Sequence, residues 1–207
     1  MLTSALMSVI PALICITVHE AAHGYTAYWL GDNTAKTMGR LTLNPLKHID
    51  FIGFIMMLVF SFGWAKPVPI DPSNFKNPKR GMAITALAGP LSNVLLTIIL
   101  LLLCEGLSPI MKGSAGRIAF EMIYITAYLS LSLAVFNILP IPPLDGSKVL
   151  FSLVSDRTYF KLMRYEQYGI IIIMAVTALN ILPTAAVTGF LFDKLFIIAR
   201  LAYRIVT

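Results

Sequence analysis

The chain has 207 residues, of which 57% are apolar and 13% are charged, and its mean hydropathy is +0.80. Soluble domains carry about a quarter charged residues, so this composition excludes both a water-soluble globule and a disordered chain. The 16 Lys and Arg residues outnumber the 10 Asp and Glu residues. They are scattered among apolar runs, which excludes a nucleic-acid-binding surface and is typical of the cytoplasmic loops of a membrane protein.

The first predicted helix runs from about Leu2 to Leu30 and is long enough to cross a bilayer, which needs about 20 apolar residues. It lacks the basic start of a secretory signal, so we expect it to be retained. The next apolar run, Phe51 to Trp64, has only 14 residues. Such a run is short for a crossing and favours a re-entrant hairpin. Three prolines within the following segment, Ala65 to Pro72, exclude a helix there.

Two longer spans are predicted at Gly81–Cys104 and Ile118–Leu139, followed by a proline-rich turn. Another apolar run covers about Tyr168 to Val187. From Phe190 onward, polar residues recur at helical spacing and predict an amphipathic helix on the membrane surface, although a short final crossing is an alternative. The polar face would hold Asp193, Arg200, Arg204 and Thr207, and the apolar face Leu191, Leu195, Ile198, Ala202 and Ile205. We therefore predict an all-α polytopic membrane bundle, with a core at residues 1–150 and a C-terminal part at 151–207.

The positions of the basic residues predict the orientation in the membrane. If the 51–64 run does not cross, residues 31–80 and 140–166 lie on one side and together hold eleven Lys and Arg residues. The opposite loop, 105–117, holds two. Because basic loops stay in the cytoplasm, we expect residues 31–80 and 140–166 to be cytoplasmic.

The sharpest chemical signal is His19-Glu20-Ala21-Ala22-His23, which lies within the first apolar span. On a helix, His19 and His23 are one turn apart on one face, where both imidazoles can bind one zinc ion. Glu20 lies beside them and can act as the base that activates water. A hydrogen-bonded polar cluster at a helix end is the plain structural alternative. Ionisable groups at membrane depth are costly, which favours a functional site.

A catalytic zinc site needs a third protein ligand and an open position. We favour Asp145, because it follows a span that returns to the side of His23 and because Pro140, Pro142 and Pro143 make its approach stiff. Gly146 would permit a tight turn after it. The alternatives are each weaker by position or surroundings: Cys15, expected to be a buried thiol like Cys104; His48, in a polar loop; Glu105 and Glu121, near the far side; and Glu166, without a rigid motif.

Two asparagines are open to two interpretations. Asn137, at the end of an apolar helix, could bond a neighbouring helix or hold an extended substrate strand or its oxyanion. Asn93 offers the same two choices, and we favour a structural role there. Thr85 with Gly89 forms a pair of small residues suited to close helix contact. Pro90 would kink the span and could shape a water-filled cavity.

These elements together resemble the site-2 protease family of intramembrane zinc metalloproteases. The resemblance covers about residues 1 to 150. The matching motifs, in chain order, are His19-Glu20-Ala21-Ala22-His23-Gly24, then Gly63-Trp64-Ala65-Lys66-Pro67-Val68-Pro69, then Ala88-Gly89-Pro90-Leu91-Ser92-Asn93, and finally Asn137-Ile138-Leu139-Pro140-Ile141-Pro142-Pro143-Leu144-Asp145-Gly146.

The resemblance implies that one zinc ion would be bound by His19, His23 and Asp145, that Glu20 would activate water, and that Asn137 would support substrate. It implies a core of three membrane helices, an active site set toward the cytoplasm, and cleavage of membrane-protein substrates in or near their membrane segments. The chain resembles short prokaryotic members without a PDZ-like or nucleotide-sensing domain.

Two other classes of function are weighed against the protease. A non-enzymatic membrane protein could keep the zinc site for partner binding, and it would not need Glu20. A small transporter could line an ion path with His and Asp, but it would more naturally show two similar halves with broken helices, and the sequence has none. The Phe51–Pro72 hairpin is expected to hold an unwound substrate strand by edge pairing.

Overall fold

A computed structural model describes residues 2–60, 65–179 and 181–206. Its regular elements in those ranges are helices, with one isolated antiparallel bridge between Ile49 and Ala65. Three short 3-10 turns lie at Pro45–Lys47, Pro72–Asn74 and Glu166–Tyr168. The α-helices in chain order are α1 (Leu2–Trp29), α2 (Thr34–Thr37), α3 (Phe51–Phe60), α4 (Pro78–Leu107), α5 (Gly113–Asn137), α6 (Asp145–Ser152), α7 (Asp156–Tyr165), α8 (Gly169–Ala178) and α9 (Thr184–Val206).

Helix α4 is the centre of the molecule and packs against α1, α5, α6 and α9. Its start is fixed by Asn77, whose side chain accepts a hydrogen bond from the backbone N–H of Arg80, and by Pro78 in the first turn. A proline is tolerated there because the first helical N–H groups have no partner within the helix. In the described ranges, α4 and α5 are the two helices long and apolar enough to cross a membrane.

The segment between α1 and α4 lies against the part of α1 that carries Glu20 and Gly24. Helix α3 covers ten residues of the predicted run of 14. Trp64, the predicted end of this apolar run, lies outside the described residues, as does Gly63. The chain segments on either side of α3 are held together by the bridge of Ile49 to Ala65 and by the hydrogen bond from Lys66 N–H to the His48 carbonyl. The stretch from Lys66 to Asp71 is then non-helical, as its prolines require.

The C-terminal prediction is wrong in its boundaries. The apolar run from Tyr168 to Val187 does not form one helix, because α8 ends at Ala178 and α9 begins at Thr184. Pro183 explains the break, since a proline disfavours the α-conformation of the residue before it. Helix α9 therefore begins before Phe190 and runs to Val206.

The packed face of α9 also differs from the one predicted. Phe192 and Ala199 are buried against α4 and α5, and Phe192 contacts the rings of Tyr124 and Tyr128 edge to face. The predicted polar residues Asp193, Arg200 and Arg204 are exposed, while Thr207 lies outside the described residues. Four of the five residues assigned to the apolar face are exposed as well: Leu191, Ile198, Ala202 and Ile205.

Candidate metal centre

The centre begins with two histidines on α1. His19 and His23 are separated by four residues, so their side chains lie on the same face of the helix. Both are buried, and their rings meet edge to face with centroids 4.6 Å apart. Their Nε2 atoms are 3.0 Å apart. The helical spacing therefore brings two imidazole nitrogens to one point inside the protein, as the sequence predicted.

The third group is Asp145, the first residue of α6. Its Oδ2 atom lies 3.1 Å from Nε2 of His19 and 3.2 Å from Nε2 of His23. The three residues form a buried group whose ligand atoms all lie within 4.8 Å of one another. Burial opposes ionisation of Asp145, but the two imidazoles outweigh it and hold the pKa of this carboxyl well below its usual range. A metal ion bound here would take Asp145 as the carboxylate.

Gly146 lets α6 start close enough to deliver Asp145. A Cβ built on Gly146 would lie 2.0 Å from the Ile138 carbonyl oxygen and 2.6 Å from that of Leu139. Any side chain would push the start of α6 away from the end of α5. The sequence predicted a tight turn at Gly146. The structure instead requires glycine here because the neighbouring backbone leaves no room for a side chain, and not because of an unusual backbone angle.

Helix α4 supports the two rings with one of its faces. Thr85, Gly89 and Asn93 are spaced by four residues and are all buried. The Thr85 carbonyl accepts a hydrogen bond from Nδ1–H of His23 across 2.7 Å. Gly89 provides the room for the rings, because a Cβ there would lie 2.5 Å from Nε2 of His23 and 2.6 Å from Cε1 of His19.

The arrangement fits a metal cation. A carbonyl can only accept, so Nδ1 of His23 carries the hydrogen, and Nε2 of the neutral ring offers a lone pair to the cluster. That lone pair faces Oδ2 of Asp145, a carboxylate oxygen without a hydrogen-bond donor among the described residues. In a tetrahedral zinc site, ligand atoms are separated by roughly 3.3 Å, close to the 3.0–3.2 Å found here. His19, His23 and Asp145 could hold the ion.

Glu20 is half-buried and already engaged. Its Oε2 atom accepts a hydrogen bond of 2.8 Å from the backbone N–H of Val68. Arg40, buried to 7% exposure, holds the same segment, since its Nη2 donates to the carbonyls of Lys66 and Pro67. The segment from residue 65 to 70 therefore lies beside Glu20. This contact connects Glu20 to the part of the chain between α3 and α4.

The remaining sequence candidates lie in other settings. Asn137 is the last residue of α5, and its Nδ2 donates to the carbonyl of Leu133 in the same helix. His48 is outside the three-residue cluster and is buried rather than interfacial, with Nε2 donating to the Thr42 carbonyl. Cys15 and Cys104 are free, buried thiols, and Sγ of Cys15 donates to the Thr126 carbonyl.

Sequence reasoning missed the contact of Asn93 with the centre. Its Nδ2 atom lies 3.3 Å from Nδ1 of His19, whereas we favoured a purely structural role. The spacing of Thr85, Gly89 and Asn93 was a usable signal, because it places a polar residue on the same face as two small ones. The sequence offered no comparable signal for Arg40, which looked like one of many basic loop residues.

Comparisons with known proteins give consistent results. The family model described as "Peptidase family M50" matches residues 105–181. A Bacillus subtilis protein named "Putative zinc metalloprotease YwhC" is 41% identical over 173 residues, which are 81% of this chain and 78% of YwhC. "Putative zinc metalloprotease Rip2" of Mycolicibacterium smegmatis is 29% identical over 188 residues, covering 89% and 69% of the two chains.

A more distant similarity extends to an archaeon. "Putative zinc metalloprotease MJ0611" of Methanocaldococcus jannaschii is 36% identical over 100 residues, which are 48% of this chain and 49% of that protein. No solved structure matches the chain significantly.

Proposed function

The chain belongs to peptidase family M50, and from that premise we propose that it is an intramembrane zinc metalloprotease which hydrolyses peptide bonds in or near the membrane segments of membrane proteins. The observation that carries the proposal is the convergence of Nε2 of His19, Nε2 of His23 and Oδ2 of Asp145 at 3.0–3.2 Å. Two imidazoles and one carboxylate are a ligand set typical of catalytic zinc. The names of the similar proteins agree with this choice of metal.

Each residue of the site has one task. His19, His23 and Asp145 would hold zinc, which when bound supplies a Lewis acid for water activation and carbonyl polarisation. Glu20 would take a proton from water at Oε2 and pass it to the leaving amine, which is general base followed by general acid catalysis. The N–H of Val68 bonds the same oxygen, and a carboxylate oxygen has a second lone pair that can take the proton while this contact is kept.

The apolar outer surface supports a position within a membrane. Residues 81–104 of α4 contain no charged side chain and would span about 36 Å as a helix, enough for a hydrocarbon core of about 30 Å. Large apolar side chains that face away from the protein on this helix include Leu91, Leu95, Ile99 and Leu103. We propose that α1, α4 and α5 form the membrane core, with α3 in a re-entrant hairpin.

The distribution of basic residues supports an active site on the cytoplasmic side. The loops 31–80 and 140–166 carry most of the Lys and Arg residues outside the spans. The first of them follows the helix that carries Glu20, and the second contains Asp145. Because basic loops remain in the cytoplasm, we place the proteolytic centre near that surface. Water can then reach the metal ligands without crossing the hydrocarbon core.

A substrate helix hides its amides in hydrogen bonds, so it must unwind locally before attack. We propose that the Phe51–Pro72 hairpin holds the unwound strand by edge pairing and that Asn137 supports it. The non-helical backbone of residues 65–70 beside Glu20 agrees with this assignment. The role proposed for Asn137 is supported by its position at the end of α5, eight residues before Asp145.

Replacing Glu20 with glutamine tests the proposed activity. Glu20→Gln keeps the size of the side chain and the ligand set but removes the proton acceptor. Membranes from cells expressing the wild type should contain membrane-protein fragments that mass spectrometry does not find with Glu20→Gln, while zinc content stays equal. Glu121→Gln, the same change at an exposed site on α5, should behave as the wild type. Identical fragments in wild type and Glu20→Gln would overturn the protease and favour a non-enzymatic zinc protein.

A further inference from the structure

We propose that Asn93 is a positioning residue for the ligand His19. In this assignment, Oδ1 of Asn93 accepts the hydrogen on Nδ1 of His19 and so holds the ring with Nε2 directed at the zinc site. The inference rests on the proposed function, since it concerns the same metal centre. It assigns a specific task to a residue that is not one of the three ligands.

The first observation is an unpartnered oxygen. Asn93 is fully buried, and its amide lies beside His19 with Nδ2 at 3.3 Å from Nδ1 of the ring. Its Oδ1 atom is buried and has no hydrogen-bond partner within the described part of the chain. Rotating the amide by 180° exchanges the two atoms, because they are similar in size and shape. Oδ1 then meets the ring nitrogen and gains a donor, and Nδ2 takes the place that Oδ1 leaves.

The second observation is the chemistry that zinc imposes on the ring. A histidine that binds metal through Nε2 must present a lone pair there, so the hydrogen of the neutral ring moves to Nδ1. Nδ1–H then needs an acceptor, and Nδ2 of an amide cannot serve as one. Among the contacts that the structure describes for Nδ1 of His19, the Asn93 amide is the one that can supply an oxygen.

The third observation is the parallel with His23. There the Thr85 carbonyl on α4 already accepts from Nδ1 at 2.7 Å and holds Nε2 toward the cluster. Asn93 lies eight residues further along the same face of α4, next to the other ring. Both ligands on α1 are thus supported from α4, one by a backbone oxygen and the other by a side-chain amide.

The backbone at Asn93 is held firmly enough to position a ring. Its carbonyl accepts hydrogen bonds from the hydroxyls of Ser130 on α5, at 2.8 Å, and Thr97 on α4, at 2.9 Å. Thr97 also donates to the Ala127 carbonyl on α5. These bonds fix α4 against α5 at the level of His19. The position of the amide is therefore set by the packing of two helices and not by a surface loop.

Zinc affinity of the detergent-purified protein, measured by competition with a chromophoric chelator, tests the assignment. Asn93→Leu keeps the approximate volume without an acceptor and should weaken zinc binding about 10–100-fold, the usual cost of losing such an outer contact. Asn93→Asp should restore affinity, because a carboxylate oxygen accepts the same hydrogen. The control is Thr126→Val on α5. Thr126 is also buried, and its hydroxyl bonds within its own helix, so this variant should bind zinc as the wild type does.

The outcomes separate this inference from the proposed function. Wild-type affinity in Asn93→Leu, or affinity in Asn93→Asp as weak as in Asn93→Leu, would overturn the role of Asn93 while the zinc site stands. A wild-type protein that is folded and binds no zinc would overturn both. If Asn93→Leu does not fold, Asn93→Ser replaces it, since the shorter side chain cannot reach Nδ1 and the same loss of affinity is expected.

Discussion

Gly89 is the residue at which α4 comes closest to both ring ligands. In Gly89→Ala, the added carbon would lie 2.5–2.6 Å from the rings of His19 and His23, so the rings or the helix must move. We expect the variant to lose most of its bound zinc, because metal ligands tolerate displacements of only a few tenths of an ångström. Metal analysis of the purified variant measures the loss.

Gly106→Ala is the matched control on the same helix. Its added carbon would lie 3.8 Å from Cε2 of Tyr203 on α9, which is an ordinary contact distance. Zinc content should therefore equal that of the wild type. Full zinc in Gly89→Ala would contradict the close packing of α4 on the ligands.

Asp32 is a fully buried carboxylate that joins the loop after α1 to the turn before α4. It accepts hydrogen bonds from Thr34, from Nδ2 of Asn74 at 2.8 Å and from the backbone N–H of Asp71 at 2.8 Å. Burial alone would raise its pKa, but these bonds hold the pKa of Asp32 below its usual range. Asp32→Asn should cost about 1.5–3 kcal/mol of stability at neutral pH.

The same carboxylate predicts a dependence on pH. Because the folded-state pKa is depressed, the stabilisation from Asp32 is fully present above its unfolded value of about 3.9 and is lost as the pH falls through the folded pKa. The difference in melting temperature between wild type and Asp32→Asn should therefore shrink below about pH 4. The side chain of Asp156 is 80% exposed, so the melting temperature of Asp156→Asn should differ little from that of the wild type at any pH. A gap for Asp32→Asn that does not shrink in acid would contradict the ionised role.

At this scale the sequence predicted which side chains meet but not what supports them. The four-residue spacing of His19 and His23 follows from helix geometry, and their convergence with Asp145 in the structure agrees with the prediction. The need for Gly89 and Gly146 depends on how closely two helices approach, which no local pattern encodes. Arg40 and Val68 act through a loop whose path depends on the fold as a whole.

Among the elements, the 65–70 segment is the one that we propose to hold a substrate strand. Val68→Pro removes the N–H that bonds Oε2 of Glu20 and leaves no donor for pairing at that position. We expect reduced cleavage of any substrate identified in the Glu20→Gln comparison, with zinc content unchanged. Val68→Ala keeps the N–H and should retain more activity. Cleavage by Val68→Pro at the wild-type rate would count against edge pairing.

Helix existence was predictable where the apolar pattern is long, and helix ends were less so. The described bounds of α1, α4 and α5 differ from the predicted ones by a few residues. The prediction for the C-terminal part failed because the apolar run continues across Pro183 in the sequence, although α8 ends before this proline and α9 begins after it. The packed face of α9 failed for another reason. In a membrane protein, apolar residues cover the lipid side too, so hydrophobicity does not identify the face that contacts α4 and α5.

For the whole molecule, the family resemblance predicted from the motifs is confirmed at the level of peptidase family M50. The helical architecture is confirmed as well, and in the described ranges two of the predicted spans are helices long and apolar enough to cross a membrane. The division into residues 1–150 and 151–207 stays a prediction, and so does the number of crossings. Packing of α9 on α4 and α5 shows that the C-terminal part is in contact with the core.

Orientation in the membrane can be tested with single cysteines. Lys47→Cys lies in the loop proposed as cytoplasmic, and Lys112→Cys lies in the short loop between α4 and α5; both lysines are exposed. The native thiols Cys15 and Cys104 are buried and should give little background. A membrane-impermeant maleimide added to intact cells should label Lys112→Cys and not Lys47→Cys. Labelling in the opposite pattern would reverse the proposed orientation.

The central claim is that His19, His23 and Asp145 hold one zinc ion. The most direct test is the zinc content of the detergent-purified wild type beside Asp145→Ala, prepared without chelators and checked for helical content by circular dichroism. We predict about one zinc per wild-type chain and a large reduction in the variant, with both proteins folded. A folded wild type without zinc, or a variant that retains the wild-type amount, would contradict the three-ligand centre.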